Sequence, residues 1–442
     1  RVPTGARLKG ATLKLEVYQN LNNMQSYSRV TTFLIYLLII FSILPYIQVL
    51  PLGTDSQPNA LLVSMCLFPF CCSWKMNRNL ALLLLLAIIS LIVLFISPLT
   101  FGSIRSLINY FSLFFITYVT YLALKRNNGI PYKLFSILVY IWFFVGTIQL
   151  LVYPSFMSFL IPRGDSSSTL ESGRGITCLA PEPTFYGIIC LFLGMIAWLN
   201  FRNQPHIKRL YGIIAIQLFL YSRSSLAIFV LLASFCIYAF FSLIKDRDKR
   251  WKAIGVIIFI FLSIYIIVKS FSDEIATVRI GKLISILIEH PESFIILDAS
   301  ANERFMHIFF PLYGFFHNWG LPHGYENFAT FMDECFKMPQ FQHLFTDYVR
   351  SAHITRIMSG WGSIFYELGI AALILLYVVY NLFSKLSLGN KKHLFYALFC
   401  LILLNAVPFS NAIIPFFIGN LFYLNDIDQY SDKTIIKYEN EE

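Results

Sequence analysis

Two arginine-containing segments have the composition of anion-binding elements. The first covers residues 163–182, where Arg163 and Arg174 are each followed by glycine and accompanied by serines. Glycine lets backbone N–H groups approach a phosphate, and arginine forms charge-assisted hydrogen bonds to it. In the second, Arg223 stands between serines and interrupts an otherwise apolar passage. An ionisable group in such a passage marks a functional position, and the alternative is an arginine that caps a short external turn.

A carboxyl group and two histidines are candidate general bases. Glu182, between two prolines, is either a base, a carboxylate that orients an arginine, or a helix N-terminal residue favoured by the helix dipole. His323 and His353 lie in the segment 271–359, which holds six of the eight histidines. Histidine titrates near neutral pH and suits proton removal from a sugar hydroxyl. A loop histidine can equally be solvated or structural, and His290 and His307 fit that description.

The segment 271–359 also contains candidate sugar and phosphate ligands. Trp319, Tyr325 and Glu326 surround His323 in the sequence, and aromatic faces suit stacking against a sugar ring. Arg304 follows Glu303 in what reads as an amphipathic helical turn, and with Arg174 and Arg223 it is a first choice for diphosphate. Arg163 and Arg279 are second choices.

Metal and disulfide chemistry have little support in the sequence. No paired Cys/His spacing is typical of a zinc site, so no metal ligand and no cofactor are predicted. Of the eight cysteines, only Cys178 and Cys335 fall in longer polar loops. A disulfide between them is possible but has no support from the sequence alone.

The elements that must position these residues are membrane helices. The chain has 442 residues, of which 57% are hydrophobic and 13% charged, about half the charged fraction of a soluble domain. Its net charge of +10 does not indicate nucleic acid, because the lysines cluster in short turns between apolar stretches. About twelve windows are long enough to cross a bilayer: 30–50, 57–74, 80–96, 107–124, 134–153, 182–200, 210–221, 224–244, 253–269, 360–382, 394–407 and 412–424.

These windows divide the chain into blocks with a defined orientation. A basic segment 1–29, partly a possible expression remnant, precedes a first membrane block at 30–270 with an outward loop at 154–181. The large loop 271–359, a last membrane block at 360–424 and a tail at 425–442 follow. The positive-inside rule places the lysine-rich turns and both termini in the cytoplasm. The outward side then receives the loops 51–56, 98–106, 154–181, 222–225 and 271–359 and the turn near Pro408.

Charges on the outward side are arginines rather than lysines. Positive-inside selection disfavours them there, and arginine is the residue suited to bidentate phosphate recognition. The arginines are Arg105, Arg163, Arg174, Arg223, Arg279, Arg304, Arg350 and Arg356. Glu367, about two turns into the tenth window, needs a partner, which this set offers.

The pattern resembles the Wzy-type O-antigen polymerases, in the wider family that includes the O-antigen ligases. The resemblance rests on the number of spans, Arg-Gly followed by Pro-Glu-Pro-Thr at the sixth, Ser-Arg-Ser-Ser at an outward span end, one large late outward loop, and Tyr-Glu-Leu-Gly in the next span. A departure is that Arg356-Ile357-Met358-Ser359 stands where ligase-like members often carry His-Asn. This favours a polymerase over a ligase.

The resemblance implies an all-α integral membrane protein of GT-C-like architecture, in the bacterial inner membrane, with its active site facing the periplasm. It implies a metal-independent glycosyltransferase that moves a growing glycan from undecaprenyl diphosphate onto the non-reducing end of another lipid-linked repeat unit. The lipid-linked oligosaccharide is then donor and acceptor, membrane lipids surround the protein, and a chain-length regulator is a further candidate partner. The alternatives are an O-antigen ligase acting on lipid A core and a flippase or transporter of the lipid-linked oligosaccharide.

Overall fold

The protein is described here from a computed structural model. The described residues are 29–49, 56–73, 76–162, 164–171, 173–245, 298–351, 356–405 and 407–439, with the single positions 255, 258 and 296. Within these ranges the regular structure is helical and contains no strand, as expected for an all-α protein. Three predicted site residues, Arg163, Arg279 and His353, lie outside the described residues, as does most of the window 253–269.

Each of the other eleven predicted windows overlaps at least one helix of the described chain, and that each of them crosses a membrane stays a prediction. The first block contains α1 Arg29–Ile43, α2 Asn59–Cys71, α3 Arg78–Leu94, α4 Phe101–Asn127, α5 Tyr132–Leu151, α6 Ser167–Glu171, α7 Pro183–Phe201, α8 Ile207–Ile216 and α9 Ser225–Lys245. The remainder contains α10 Ala299–His317, α11 Phe328–Lys337, α12 Pro339–Gln342, α13 Asp347–Ser351, α14 Gly360–Leu368, α15 Ala372–Lys385, α16 Lys391–Asn405 and α17 Ile413–Glu439.

Among the described residues, four helical stretches are long and apolar enough to cross a membrane: α4, α5, α7 and the continuous stretch Gly360–Lys385, which joins α14 and α15. Shorter apolar helices occur at α1, α2, α3 and over Ser225–Phe241 of α9. Large apolar side chains on α3, α5 and α9 are exposed at the bundle surface. An exposed apolar surface of this extent fits hydrocarbon surroundings rather than water.

Helix α4 is the central element of the bundle. Its N-terminus is capped by Thr100, whose hydroxyl accepts a hydrogen bond from the Ser103 N–H (3.1 Å). It ends where Asn128 takes a left-handed conformation (φ 54°) and Gly129 follows with a positive φ. Helices α2, α3 and α17 pack directly on it, and residues along most of its length are buried.

The contact between α4 and α17 is unusually close. A Cβ atom on Gly419 of α17 would lie 2.7 Å from the Thr117 carbonyl oxygen and 2.7 Å from the Thr120 Cβ of α4. The Thr117 hydroxyl donates a hydrogen bond to the Pro415 carbonyl oxygen (3.1 Å) across the same contact. Small residues let membrane helices approach in this way, so that backbones and short polar side chains meet.

The C-terminal part of the large loop, residues 298–351, forms a helical unit with its own core. Helix α10 is capped by Asp298, whose carboxylate accepts from the Ala301 N–H (2.7 Å). A second apolar cluster fills the space between α10, α11 and α12, and includes Phe310 and Phe345, whose rings stack at 4.8 Å. Ile357 and Tyr366 belong to the same cluster, so the unit rests on the start of the last membrane block.

The last helix is longer than the predicted span. The window ended at residue 424, whereas α17 continues to Glu439. Asp426, just beyond the apolar run, accepts a hydrogen bond from Tyr121 (2.6 Å) and forms an ion pair with Lys125 (3.0 Å). These contacts to the end of α4 give the polar turn of α17 a partner, which the sequence pattern of α17 does not reveal.

We expect Gly419→Ala to lower the thermal stability of the protein in detergent. The added methyl group meets a backbone oxygen of α4, and overpacking of this kind costs about 1–3 kcal/mol. Gly194→Ala is the matched control, because a Cβ atom at Gly194 of α7 has no neighbour within 4 Å. Thermal unfolding of both purified variants measures the difference, and equal melting temperatures would contradict the close α4–α17 contact.

Candidate functional site

A cavity of about 460 Å³ lies at one end of the bundle, at the start of α4. It is lined by Arg105 and Arg356, and is called the arginine cavity below. Four of the segments predicted to share one membrane face contribute to it. Besides the two arginines, its polar lining comprises Ser56, Ser106, Asn109, Tyr110, Glu326, Ser363, Tyr366, Glu367, Ser410 and Asn411.

Glu367 and Tyr110 form the floor of the arginine cavity. The Tyr110 hydroxyl donates a hydrogen bond to Glu367 Oε2 at 2.5 Å, which joins α4 to α14. The sequence interpretation expected an outward arginine as the partner of this carboxyl group, and the structure supplies a tyrosine. A carboxyl group in a membrane helix needs such a partner, because an unpaired one is costly in a low-dielectric medium.

Glu326 stands opposite the start of α4 with a left-handed backbone (φ 63°). A Cβ atom on Gly102 would lie 1.9 Å from Glu326 Oε1, so glycine at that position makes room for the carboxylate. Arg105 lies one turn further along α4, and Arg356 precedes α14. The cavity therefore combines two guanidinium groups with two carboxyl groups. Aromatic residues, among them Phe185 and Phe409, complete its wall.

A second polar group of residues, the Glu182–Arg304 corner, adjoins the cavity. Arg304 Nη2 of α10 donates a hydrogen bond to the Thr184 hydroxyl in the first turn of α7 (3.1 Å). Burial raises the pKa of the Glu303 carboxyl; Arg304 lowers that pKa and the nearby Glu182 carboxylate raises it. Phe185, next to Thr184, lines the arginine cavity. The structure thus brings two predicted residues, Glu182 and Arg304, together at its edge.

Glu182 is the residue before the first turn of α7, and Pro183 occupies the first helical position. Its side chain makes no capping hydrogen bond to the helix, and its backbone is extended (φ −147°, ψ 155°). The side chain therefore does not cap its own helix, and the Glu303 carboxyl group is close enough to interact with it electrostatically.

The segments that carry Arg174 and Arg223 lie beside each other, and the Arg223 segment packs against the first turns of α7 at Gly187. The Ile176 N–H donates to the Tyr221 carbonyl oxygen (2.9 Å), which pairs the two segments. A Cβ atom on Gly175 would lie 2.0 Å from the Ser222 carbonyl oxygen, so only glycine permits this approach. Arg223 has a positive φ of 42° and an exposed side chain, whose Nε donates to the Leu220 carbonyl oxygen. Neither arginine lines the arginine cavity.

His323 and its predicted sugar-binding neighbours take different positions. The His323 ring stacks on Tyr366 at 4.3 Å, and its Nε2 lies 3.0 Å from the Gly314 carbonyl oxygen. Since a carbonyl only accepts, Nε2 carries the proton and Nδ1 is the basic atom. Burial lowers the pKa of His323; the hydrogen bond to Gly314 raises that pKa and the nearby His317 lowers it.

Trp319 and Tyr325 differ in exposure. Trp319 is 93% exposed, so its ring faces are open to a ligand. Tyr325 is fully buried: its hydroxyl donates to the Ser90 carbonyl oxygen (2.7 Å) and its ring stacks near Tyr110. In that position it packs the wall behind the cavity and offers no ring face to a sugar.

The candidate metal ligands and the cysteines of the described chain form no reactive site. Among the described residues, no cluster of three or more His, Cys, Asp or Glu side chains has a geometry that could hold a metal ion. Cys178 and Cys335 are both buried free thiols. Burial raises the pKa of each of them, so both behave as inert packing residues.

The residues that line the arginine cavity were only partly identified from the sequence. Arg105 and Arg356 were recognised as outward arginines, but not chosen as site residues. The signal that could have singled them out is their position directly beside predicted span ends, at the same membrane face as Glu367. Tyr110 carried no signal, because a tyrosine within an apolar helix has no distinctive neighbours in sequence.

Comparison with known proteins does not identify a relative. No protein-family model matches the chain, and no curated protein matches it. The functional assignment therefore depends on the sequence pattern and on the geometry described above.

We expect the stability of the α10–α14 contact to fall as the pH drops from 6.5 to 4. Burial lowers the pKa of His307 to about 4, and its Nδ1 accepts a hydrogen bond from the Met358 N–H (3.3 Å). The unfolded chain, with a pKa near 6.5, takes up a proton in this range while the folded chain does not. The loss amounts to at most about 3 kcal/mol.

Thermal unfolding measured between pH 7.5 and 4.5 checks this expectation. His307→Gln removes the titrating group, so its melting temperature should vary less with pH than that of the wild type. His343→Gln, at an exposed histidine of the same helical unit, is the control and should keep the wild-type slope. Identical pH profiles for His307→Gln and the wild type would show that His307 is not held neutral.

Proposed function

We propose that the protein is a membrane glycosyltransferase that polymerises lipid-diphosphate-linked oligosaccharides, as the Wzy-type O-antigen polymerases do. The observation that carries the proposal is the arginine cavity, in which two arginines, two carboxyl groups and several aromatic rings meet at one end of the bundle. Its volume of about 460 Å³ is within the range of small-molecule sites. The cavity is large enough for the reacting sugars and the diphosphate, while the glycan and the lipid extend out of it.

The proposed reaction is a displacement at the anomeric carbon of the donor glycan. The acceptor hydroxyl oxygen forms the new bond to that carbon, and the carbon–oxygen bond to the diphosphate breaks. The electron pair leaves with undecaprenyl diphosphate, and the hydroxyl proton passes to a carboxylate. Charge thus accumulates on the diphosphate, and cations placed beforehand around it lower the barrier most.

Each chemical demand has a candidate group. Arg105 and Arg356 are positioned to neutralise the departing diphosphate, which guanidinium groups bind in bidentate fashion. Glu326, an exposed carboxylate on the cavity wall, is the proposed proton acceptor for the sugar hydroxyl. The Glu182–Arg304 corner is the proposed extension of the site towards the second lipid-linked chain. Tyr110 and Glu367 fix the floor by their mutual hydrogen bond.

The alternatives differ in acceptor or in the location of the site. An O-antigen ligase would use the same donor chemistry with a lipid A core acceptor, so only the acceptor distinguishes it. A transporter of the lipid-linked oligosaccharide would place its site near the membrane midplane. The middle of α4 is instead packed with buried side chains such as Leu113, Ile116 and Val119, and the arginine cavity lies at the end of that helix.

We expect Arg105→Ala and Arg356→Ala each to reduce chain lengthening by about 100-fold or more, the usual cost of removing one group that stabilises developing negative charge. The assay is incubation of the purified protein with undecaprenyl-diphosphate-linked oligosaccharide, without added metal, followed by separation of the products by length. Lysine at either position should restore part of the activity, because it keeps the charge but loses the bidentate geometry.

Arg202→Ala provides the matched control, because Arg202 is an exposed arginine at the far end of α7. It should retain wild-type lengthening. Size-exclusion chromatography and thermal unfolding establish that each variant is folded. Failure of the wild type to lengthen any lipid-linked substrate would reject the polymerase, and transfer to lipid A core alone would identify a ligase.

The two ends of the bundle should be labelled from opposite sides of the membrane. Ser300 lies at the start of α10, whose helical unit contributes to the arginine cavity, and the exposed Lys385 lies at the end of α15. After the exposed Cys66, Cys72 and Cys236 are replaced by serine, Ser300→Cys should react with an impermeant maleimide added to the periplasmic side. Lys385→Cys should react only after permeabilisation, and the reverse pattern would exclude a periplasmic site.

A further inference from the structure

A second polar cavity, of about 410 Å³, lies at the opposite end of the bundle. It is lined by four asparagines, Asn77, Asn79, Asn381 and Asn425, and is called the asparagine cavity below. The helical rise of about 1.5 Å per residue separates Arg105 and Lys125 of α4 by about 30 Å, the thickness of a bilayer core. Asp426, which pairs with Lys125, lines the asparagine cavity, so the two cavities lie near opposite membrane faces.

The asparagine cavity carries an excess of positive charge. Arg78 and Lys385 both line it. Asp426, the one carboxylate among the described residues of its wall, is already engaged by the Lys125 ammonium (3.0 Å) and the Tyr121 hydroxyl (2.6 Å). Its charge is offset by Lys125, which leaves two cations facing the cavity. The Arg78 guanidinium is held over the Tyr377 ring, 5.9 Å from its centroid.

Hydrogen-bonding groups in the cavity also suit an anionic ligand. The 17-residue helix α3 begins here, and Asn77 caps it by accepting from the Leu80 N–H (2.9 Å). The positive end of the helix dipole therefore points at the cavity. Asn425 is 5% exposed and donates to two backbone carbonyls, while its Oδ1 has no hydrogen-bond partner among the described residues. That oxygen is enclosed by the protein, so the side-chain amides that a ligand can reach are those of Asn77 and Asn381.

The surroundings of the cavity indicate that the anion comes on a lipid. Helices α3 and α15 run antiparallel, and the Asn381 amide donates to the Asn79 side-chain oxygen (2.9 Å) at the cavity. Away from it, each helix presents large exposed apolar side chains. On α15 these include Leu373, and on α3 they are Leu85, Ile88, Leu91 and Ile92. Acyl chains can lie along these surfaces while a head group enters the cavity.

We propose that the asparagine cavity binds the phosphate head group of an anionic phospholipid. Arg78 and Lys385 bind the phosphodiester, the exposed side-chain amide of Asn77 hydrogen-bonds to the head group, and the acyl chains pack along α3 and α15. Basic pockets between membrane helices near the cytoplasmic surface bind lipid head groups by this combination of charge and apolar contact. The proposal does not depend on the reaction at the arginine cavity, because the two sites share no residue.

Native mass spectrometry of the purified full chain, titrated with phosphatidylglycerol or phosphatidylcholine, tests the proposal. Phosphatidylglycerol has an anionic head group with a phosphodiester and two hydroxyls. Phosphatidylcholine has the same phosphodiester, but its choline cation leaves the head group without net charge. We expect the wild type to bind phosphatidylglycerol more tightly than phosphatidylcholine. The double variant Arg78→Gln/Lys385→Gln should bind phosphatidylglycerol about thirtyfold more weakly, which is the combined contribution of two basic residues at an anionic lipid surface.

Lys208→Gln/Arg209→Gln is the matched control, because it removes two exposed cations at the start of α8, near the same end of the bundle. It should retain the wild-type preference for phosphatidylglycerol. Equal retention of the two lipids, or equal losses in both double variants, would overturn the proposal. So would inorganic phosphate that abolishes phosphatidylglycerol binding at low millimolar concentration, because the cavity would then be a site for the free ion.

Discussion

The close contact between α4 and α17 is the interaction on which both ends of the molecule depend. Gly419 brings the two backbones together at the Thr117 carbonyl, in the middle of the bundle. From there α4 extends one way to Tyr110 and Arg105 and the other way to Lys125, which meets Asp426 of α17. Helix α4 therefore supplies Tyr110 to the floor of the arginine cavity, and α17 supplies Asn425 and Asp426 to the wall of the asparagine cavity.

The membrane explains why polar chemistry is confined to the two ends. Hydrocarbon cannot form hydrogen bonds with backbone or side-chain groups. The middle of the described bundle is therefore helical and densely packed with apolar residues. Arg105 and Arg356 lie close to the starts of α4 and α14, and the carboxyl groups of Glu367 and Asp426, which lie within helices, are each bonded to a tyrosine hydroxyl. Glu367 illustrates the rule. The hydrogen bond from the Tyr110 hydroxyl offsets the cost of burying its carboxyl group within the bundle.

The two ends differ in the cations they use and in how those cations are held. At the arginine cavity the guanidinium groups stand beside two carboxyl groups, which suits an ionic substrate that must enter, react and leave. At the asparagine cavity, Asp426 is the only carboxylate in the described part of the wall and is paired with Lys125, while Arg78 and Lys385 lie among neutral amides. This second arrangement favours a permanently anionic ligand that stays bound. The two cavities thus have similar volumes but different balances of positive and negative side chains, and this difference is the basis for proposing a transferase site in one and a lipid site in the other.

The sequence alone determined the helical membrane character, because long apolar windows and the placement of lysine and arginine are local properties. In the described chain every predicted window other than 253–269 overlaps a helix, and four of the predicted outward segments meet at the arginine cavity. The sequence also identified Glu182 and Arg304, which the structure brings together, although 122 positions separate them. Only the tertiary structure decided that Tyr110 pairs with Glu367, that Tyr325 is buried, and that Arg105 and Arg356 rather than Arg174 and Arg223 line the cavity. Such contacts join residues far apart in the chain, and which of them meet depends on how the helices pack, which no single segment encodes.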